Sequence, residues 1–267
     1  MRIALSIAGS DPTGGAGLQL DLQVFRAFGV HGAGVVSALT VQDTAKVHQV
    51  LPVFPSVVLD QLRMLVRDVT PHAVKLGMLG SDDVVLSVAL GLDELRRRSP
   101  GTPLVIDPVL VASDGTALLQ RRAWSTLTNL FPHAALVTPN LDEAAALSGC
   151  DTSSEQGIEA AARVLTLELG ARAALVKGGH RNGPPDDCLL ERKEASVSLT
   201  WLRSERLPGS PIHGTGCALS AAIAARLALG TALPEAVTSA REFVQEAIRR
   251  AEAVGRGARL LAWASSP

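Results

Sequence analysis

Residues 3–17 read IALSIAGSDPTGGAG, an apolar run that passes into a loop with four glycines. Residues 3–8 have the composition of a β-strand, and residues 17–28 carry apolar side chains at helical spacing, at Leu18, Leu22 and Phe25. A buried strand that turns tightly into a helix is the first half of a βαβ unit. This stretch therefore indicates an α/β fold.

The same alternation continues along the chain. Short apolar runs predict further strands at residues 35–41, 47–53, 72–76, 104–107, 135–138 and 173–176. Helical spacing predicts helices at residues 55–69, 82–97, 121–130, 140–147, 155–169, 215–229 and 234–254. Because such runs are typical of strands buried on both faces, we predict a mostly parallel sheet flanked by helices. Nothing in the composition marks a linker, so residues 1–267 are interpreted as a single domain.

The composition excludes several classes of protein. The 267 residues have a formal net charge of −1, with 47% hydrophobic and 19% charged residues, which excludes disorder and a polyanion-binding surface. Aromatic residues make up 3% and Tyr is absent, which argues against a stacking platform for nucleic acid. The three cysteines are too few for a disulfide framework, and the apolar runs are too short for a secretory signal or a membrane helix. We expect a soluble cytoplasmic protein without nucleic-acid or membrane partners.

Ligands of open α/β sheets bind beyond the carboxyl ends of the strands. The loop at residues 9–17 follows the first strand, but it lacks both the Lys of a P-loop and the spacing of a dinucleotide fingerprint. By itself it is better explained as a tight turn, and it disfavours a dinucleotide-dependent oxidoreductase. Asp21, in the following helix, is by itself a solvent-facing carboxylate.

Residues 212–222 read IHGTGCALSAA. Gly214 and Gly216 at the start of a helix predict a concave anion site, because consecutive N–H groups and the helix dipole attract negative charge. Cys217 lies in the first turn, where the pKa of a thiol tends to fall. A base beside an anion site suits phosphoryl transfer. The alternative is a buried structural cysteine on an alanine-rich helix.

Two further loops contain charged residues with two interpretations each. Asn140 and Glu143 form the pattern of a capping box, but Glu143 could also hold Mg²⁺ with Asp107, which ends an apolar strand. Lys177 precedes two glycines at another strand end and suits a phosphate contact, although a lysine extending into solvent is the simpler interpretation.

In order and spacing, these motifs resemble the hydroxymethylpyrimidine and phosphomethylpyrimidine kinases of thiamine biosynthesis, members of the ribokinase-like superfamily. The resemblance extends from residue 7 to the end of the last predicted helix. It rests on AGSD at 8–11, GGAG at 14–17, Gln42, GMLG at 77–80, DPV at 107–109, TPN at 138–140 with Glu143, VKGGH at 176–180 and HGTGC at 213–217. It implies a three-layer αβα fold and ATP-dependent phosphorylation.

The resemblance also implies roles for individual residues. Cys217 is the implied base for the hydroxymethyl oxygen, and Asp107 and Glu143 are implied to organise Mg²⁺. The implied anion hole consists of the amides of Gly214, Thr215, Gly216 and Cys217. The residues implied to bind ATP are Asn140, Lys177, Gly214 and Gly216. The residues implied to bind the pyrimidine are Ala16, Asp21, Gln42, Met78 and Val109.

An aminopyrimidine presents a ring-nitrogen acceptor beside an amino donor. The carboxamide of Gln42 can match that pair, Val109 could add backbone hydrogen bonds, and Met78 offers an adaptable apolar face. Without the resemblance, Gln42 would be interpreted as a surface amide and Met78 as a core residue.

Three segments depart from the family pattern. Residues 111–115 read VASDG and lack a Lys, residues 207–212 read LPGSPI with two prolines, and Asp43 stands where an Asn is usual. These changes put a cationic contact and some backbone donors in doubt. They leave the implied base, anion hole and magnesium carboxylates in place.

The sequence thus predicts a kinase that uses Mg·ATP to phosphorylate 4-amino-5-hydroxymethyl-2-methylpyrimidine and then its monophosphate. One alternative is a pyridoxal or pyridoxine kinase, which shares the hydroxymethyl chemistry. An alternative of another class is a non-catalytic pyrimidine-binding regulator, against which the presence of Cys217 and Glu143 argues. The oligomeric state is open, with a homodimer as one option, and so is closure of the 181–187 loop over the site.

Overall fold

The computed structural model describes residues 1–179, 183–194, 196–207 and 212–263. The strands in these residues are β1 (Ile3–Ser10), β2 (His31–Gln42), β3 (Val47–Pro52), β4 (Ala73–Leu76), β5 (Leu104–Ile106), β6 (Leu136–Val137), β7 (Ala173–Val176), β8 (Asp187–Arg192), β9 (Val197–Leu202), β10 (Ile212–His213) and β11 (Arg259–Leu260). The helices are α1 (Gly17–Ala27), α2 (Pro55–Asp68), α3 (Asp82–Arg98), α4 (Trp124–Thr128), α5 (Leu141–Ser148), α6 (Glu155–Arg163), α7 (Thr215–Ala228) and α8 (Leu233–Arg249).

The first nine strands form one sheet in the order β3-β2-β1-β4-β5-β6-β7-β8-β9. The strands from β2 through β7 in that order are parallel, whereas β3 at one edge and β8 and β9 at the other pair in antiparallel fashion. The predicted mostly parallel sheet is therefore confirmed. β10 and β11 form a separate parallel pair.

Alternate residues of the strands face opposite layers of helices. In β1, Leu5 and Ile7 pack with α2 to α6, whereas Ala4 packs with α1, α7 and α8. α7 is rich in buried alanines, and such small side chains let a helix approach the sheet closely. These two layers around the sheet confirm the predicted three-layer αβα architecture.

Most of the predicted helices begin and end within about one residue of their predicted bounds. α3 begins after Ser81, whose side chain accepts a hydrogen bond from the N–H of Val84. Its last turn contains three arginines, whose positive charges interact favourably with the negative end of the helix dipole. The predicted helix at 121–130 is instead a 3-10 turn at Arg121–Ala123 followed by the short α4, and the 155–169 helix finishes as a π-turn at Val164–Glu168. α8 ends at Arg249, earlier than the predicted residue 254.

The hairpin of β8 and β9 was not predicted. β8 follows the turn-rich residues 181–187, and β9 (VSLTWL) is only partly buried at the sheet edge, so neither shows the continuous apolar run of a central strand. His180, Arg181, Asn182 and the prolines of the 207–212 segment lie outside the described residues. Among the described residues, none of the helices has the length and apolarity needed to cross a bilayer.

Candidate active site

A cavity of about 720 Å³ opens at the carboxyl ends of the parallel strands, where the topology of the sheet predicts a ligand. Its walls come from the loops after β1, β2, β4, β5, β6 and β7 and from the start of α7. The predicted site residues that line it are Ala16, Gln42, Met78, Asp107, Val109, Asn140, Glu143, Lys177, Gly214, Thr215, Gly216 and Cys217. Asp21 is the one predicted site residue that does not line it.

The start of α7 forms a cradle at the cavity wall. Its first intrahelical hydrogen bond runs from the N–H of Ala218 to the carbonyl of Gly214 (2.8 Å), so the N–H groups of residues 215–217 precede the helical ladder. Gly214 has a φ of +80°, and a Cβ on it would lie 1.8 Å from the carbonyl oxygen of Gly15. Only glycine fits there. Three consecutive donors at a helix N-terminus make an anion site.

Lys177 lies directly beside this cradle. A Cβ built on Gly216 would lie 3.0 Å from the ammonium nitrogen of Lys177, and that nitrogen is 2.9 Å from Oδ1 of Asp107. Burial would lower the pKa of Lys177, but the charges of Asp107 and Glu143 raise it overall. Lys177 is therefore a fixed cation at the cavity wall and does not extend into solvent.

Asp107 is held by three elements. Oδ1 accepts from Lys177 and from Oγ1 of Thr138 (3.0 Å), and Oδ2 accepts from Oγ of Ser220 (3.2 Å) in α7. The carboxylate, which follows β5, is thus held by the ends of β6 and β7 and by the second turn of α7.

Asn140 and Glu143 form the capping box that the sequence suggested. The N–H of Glu143 donates to Oδ1 of Asn140, and Oε2 of Glu143 accepts from the N–H of Asn140, both at 2.8 Å. Burial, together with the charge of Asp107, raises the pKa of Glu143 to about 7, although Lys177 acts in the opposite direction. A cation bound between these two carboxylates would relieve that repulsion.

The donor set fits a divalent cation that arrives with a nucleotide. Within the part of the chain that the structure describes, no group of three or more His, Cys, Asp or Glu side chains could hold a metal alone. Mg²⁺ is commonly held by one or two carboxylates together with substrate phosphates. Asp107 and Glu143 both line the cavity and would supply the carboxylates of such a set.

Burial raises the pKa of the Cys217 thiol to about 11, and the charges of Asp107 and Asp21 add to this effect, whereas Lys75 lowers it. The backbone N–H of Gly17 favours the thiolate of Cys217 and so also acts to lower the pKa of the thiol. The expectation that the helix terminus would lower this pKa is therefore wrong. Burial and nearby carboxylates outweigh the helix dipole, so the thiol is protonated at neutral pH.

Asp21 differs from both interpretations of the sequence. The side chain of Asp21 is fully buried. The ammonium of Lys75 donates to Oδ1 at 3.0 Å and to Oδ2 at 2.8 Å, and Oγ of Ser6 donates to Oδ2 at 2.5 Å. The expected solvent-facing carboxylate is wrong. This buried side chain does not line the cavity, so it does not offer the implied direct contact with the pyrimidine. Asp21 reaches the cavity only through Lys75, which lines it.

The residues implied to bind the pyrimidine line another part of the same cavity. The carboxamide of Gln42 lies within hydrogen-bond distance of Oγ1 of Thr40 (3.2 Å) and Nε2 of His213 (3.1 Å). Met78 packs in a small apolar cluster at the cavity, with Val109 against it. The N–H of Val109 donates to the carbonyl of Asp107 at 2.8 Å, so its carbonyl, and not several backbone groups, is left for a ligand. Ala16, at the start of α1, also lines the cavity.

The match to a known family decides the identity. The sequence model of phosphomethylpyrimidine kinase matches residues 11–262.

The chain belongs to the phosphomethylpyrimidine kinase family.

Two curated relatives support this assignment. The kinase is 41% identical over 258 residues to the hydroxymethylpyrimidine/phosphomethylpyrimidine kinase of Rhizobium meliloti, covering 96% of this chain and 94% of the relative. It is 42% identical over 255 residues to the thiamine biosynthesis bifunctional protein ThiED of Geobacter sulfurreducens, covering 95% of this chain. The kinase spans 50% of that bifunctional relative.

Solved structures give the same fold. The phosphomethylpyrimidine kinase of Clostridium difficile superposes with a TM-score of 0.79 at 32% identity, covering 93% of this chain and 100% of the other. The pyridoxal kinase of Staphylococcus aureus in complex with AMP-PCP and pyridoxal gives 0.84 at 29% identity, covering 98% and 93%. Kinases of both substrate classes are thus similar to this chain, and an ATP analogue binds to one of them.

Two of the three departures from the family pattern lie together, around the turn between β2 and β3. The carboxylate of Asp43 accepts from the N–H groups of Ala45 (2.7 Å) and Lys46 (3.0 Å), and that of Asp114 accepts from the N–H of Val47 (2.7 Å). Asp43 therefore stabilises the turn between β2 and β3. The loop at residues 111–115, which lacks a Lys, is hydrogen-bonded through Asp114 to β3, the strand that follows this turn.

Sequence reasoning missed Lys75 and gave no role to Asp11 or His213. Lys75 lies in the four-residue, fully buried strand β4, and a charge inside such a strand requires a buried partner. That requirement was a usable signal. The contacts of Asp11 with His213, 202 positions apart in the chain, had no signal in the sequence.

Proposed function

We propose that this kinase transfers the γ-phosphoryl group of ATP to the hydroxymethyl oxygen of 4-amino-5-hydroxymethyl-2-methylpyrimidine, and then phosphorylates the resulting monophosphate to the diphosphate. One observation carries this proposal. A single cavity is lined by a carboxamide and an apolar face suited to an aminopyrimidine and by an anion cradle with Cys217. The names of the relatives and the family match support it.

In the proposed reaction, the cradle at the start of α7 binds the phosphoryl group during transfer. Charge spreads over the phosphoryl oxygens in the transition state, so catalysis depends on positioned donors and cations. The N–H groups of residues 215–217 and the ammonium of Lys177 supply both. Asn140 has its carboxamide nitrogen outside the capping box, and we propose that it contacts the nucleotide together with Gly214 and Gly216.

Cys217 is the proposed base for the hydroxymethyl proton. Its thiol must first lose a proton, which its pKa of about 11 makes unfavourable at neutral pH. The positive charge of Lys75 favours the thiolate. The chemistry therefore rests on Lys75 as well as on Cys217, and Asp21 acts by holding Lys75 in place.

Asp107 and Glu143 are the residues proposed to hold Mg²⁺. A magnesium ion bound with ATP would neutralise phosphate charge and orient the γ-phosphoryl group. Lys177 bonds the same carboxylate of Asp107, so the cation site and the phosphate contact are held as one unit.

A pyridoxal kinase is the second candidate, favoured by the similarity to the Staphylococcus aureus enzyme. Pyridoxal also carries a hydroxymethyl group on a nitrogen heterocycle, but it lacks the amino donor beside the ring nitrogen. Gln42 matches the aminopyrimidine edge better. A non-catalytic regulator is disfavoured because Cys217, Lys177 and the cradle lie together.

The test is product analysis by mass after incubation with Mg·ATP and either the pyrimidine alcohol or pyridoxal. We expect the mono- and diphosphate of the pyrimidine, at a higher kcat/KM than phosphorylated pyridoxal. A preference for pyridoxal would favour the second candidate, and absence of ADP release with both would favour the regulator.

The cytoplasmic location, the single-domain organisation and the homodimer, one option for the assembly, stay predictions. Light scattering after size exclusion tests the last of these.

A further inference from the structure

Three side chains that are far apart in the sequence form one hydrogen-bonded chain in the lining of the cavity. Nε2 of His213 lies 3.0 Å from Oδ2 of Asp11 and 3.1 Å from the carboxamide nitrogen of Gln42. Asp11 follows β1, Gln42 ends β2, and His213 immediately precedes the first glycine of the anion cradle. The Asp11–His213–Gln42 chain therefore connects Gln42 to the residue that immediately precedes the anion cradle.

Asp11 determines where the imidazole of His213 carries its hydrogen. Oδ1 of Asp11 accepts from the N–H and from Oγ1 of Thr13, both at 2.9 Å. Burial would raise the pKa of Asp11, but its hydrogen bonds with His213 and Thr13 lower it overall. An ionised carboxylate can only accept, so Nε2 of His213 must be a donor.

A donor at Nε2 in turn determines the orientation of the Gln42 carboxamide. The oxygen and the nitrogen of a carboxamide exchange places when the group rotates by 180°. With the nitrogen towards His213, two donors would face each other. With the oxygen towards His213, it shares the single Nε2 hydrogen with Oδ2 of Asp11 in a three-centre hydrogen bond. The nitrogen then donates to Oγ1 of Thr40, whose own hydrogen goes to the carbonyl of Ser10, 2.9 Å away. Every hydrogen then has an acceptor.

The imidazole has little freedom to leave this position. A Cβ built on Gly15 would lie 2.8 Å from Cδ2 of His213 and 2.6 Å from Leu260. β10, which contains His213, pairs with β11, which contains Leu260. The first glycine-rich loop and the C-terminal strand thus hold the ring from two sides.

We infer that His213, held by Asp11, is a positioning residue that fixes the carboxamide of Gln42 in one orientation and so makes the kinase select a 4-aminopyrimidine over a 4-oxopyrimidine. An aminopyrimidine edge presents an acceptor at the ring nitrogen and a donor at the amino group. The oxo tautomer reverses both. A freely rotating carboxamide would match either edge, whereas a fixed one matches only one. This inference rests on the proposed function.

The test compares the 4-amino alcohol with its 4-oxo analogue in wild type, His213→Ala and His213→Gln. In wild type, we expect a strong preference for the amino compound in kcat/KM. In His213→Ala, we expect this preference to fall about tenfold or more, through KM for the pyrimidine, with KM for ATP unchanged. In His213→Gln, the new carboxamide can donate to Gln42, so most of the preference should return.

An equal loss for both pyrimidines in His213→Ala would overturn the inference, because a merely structural role would not change their ratio. If His213→Ala does not fold, Asp11→Asn serves instead. The amide of the new Asn can donate to Nε2 of His213, so the tautomer of the imidazole is no longer fixed. An unchanged preference for the amino compound in Asp11→Asn would also overturn the inference. If wild type phosphorylates neither compound, the proposed function fails. Calorimetric binding of the two pyrimidines to the same proteins then still decides whether His213 sets the preference.

Discussion

The ammonium nitrogen of Lys75 lies 2.8 Å from Oδ2 of Asp21, and both side chains are completely shielded from solvent. Burial would lower the pKa of Lys75, but the charges of Asp21 and Asp107 raise it overall. Lys75 lines the cavity that contains Cys217. One buried ion pair therefore contributes both to the stability of the fold and to the electrostatics of the site.

The first prediction concerns the stability of this pair. Lys75→Met leaves the Asp21 carboxylate buried without its cation, which typically costs about 3–5 kcal/mol. Chemical denaturation should show a loss of this size in the free energy of unfolding. The matched control is Lys75→Met with Asp21→Asn, which has no buried charge and should recover a large part of the loss. If the single and double variants are equally unstable, the pair does not act as described.

The second prediction concerns the pH dependence of turnover. The deprotonated fraction of a thiol grows about tenfold for each pH unit below its pKa, and that of Cys217 is about 11. If the thiolate is the base, kcat should rise as pH increases from 7 to 9. Cys217→Ala should lower kcat by about 10²–10⁴ and change KM for the pyrimidine much less. Steady-state assays across this pH range measure both effects.

Cys217→Asp provides the control for that assignment. A carboxylate is already ionised at pH 7 unless it is strongly perturbed, so this variant should show a flatter pH profile than wild type. Near-normal turnover in Cys217→Ala would show that sulfur is not the base.

Much of the fold could be predicted because central parallel strands leave a simple signal. Residues 173–176 are apolar and buried on both faces, and they form β7 with the predicted bounds. β9 at the sheet edge contains both polar and apolar residues, and it is held in the sheet by antiparallel pairing with β8. Its position follows from tertiary pairing, which a local pattern does not contain.

The site was predictable where residue type alone sets the chemistry. The two glycines before Cys217 indicated the cradle that α7 forms. The pKa of Cys217 was mispredicted because it depends on burial and on the carboxylates of Asp21 and Asp107, which lie far away in sequence. The direction of a pKa shift is a property of the packed surroundings and not of a helix turn alone.

The third prediction concerns recognition of the pyrimidine. Gln42→Ala removes a donor and an acceptor from one wall, so KM for the pyrimidine should rise about tenfold or more. KM for ATP should stay close to wild type, because Gln42 is not among the residues proposed to contact the nucleotide. Gln42→Glu keeps the size but loses the donor, and should also raise KM for the pyrimidine. Equal increases in both KM values would contradict the assigned role.

The fourth prediction concerns magnesium and Glu143. The pKa of Glu143 is raised to about 7. In the folded protein its carboxyl group therefore stays largely protonated at pH values between the ordinary pKa of a Glu and 7. A cation needs the carboxylate, and the ionised fraction rises roughly tenfold from pH 6 to pH 8. The Mg²⁺ concentration that gives half the maximal rate should therefore fall as pH rises through 7.

Glu143→Gln is the matched variant, because Gln also suits the third position of a capping box and should preserve the start of α5. It should need more Mg²⁺ at every pH and show a weaker pH dependence of the half-saturating concentration. Titration of the nucleotide affects both proteins alike, so the difference between the two curves isolates Glu143. Superimposable curves would mean that this carboxyl caps α5 and does not hold the cation.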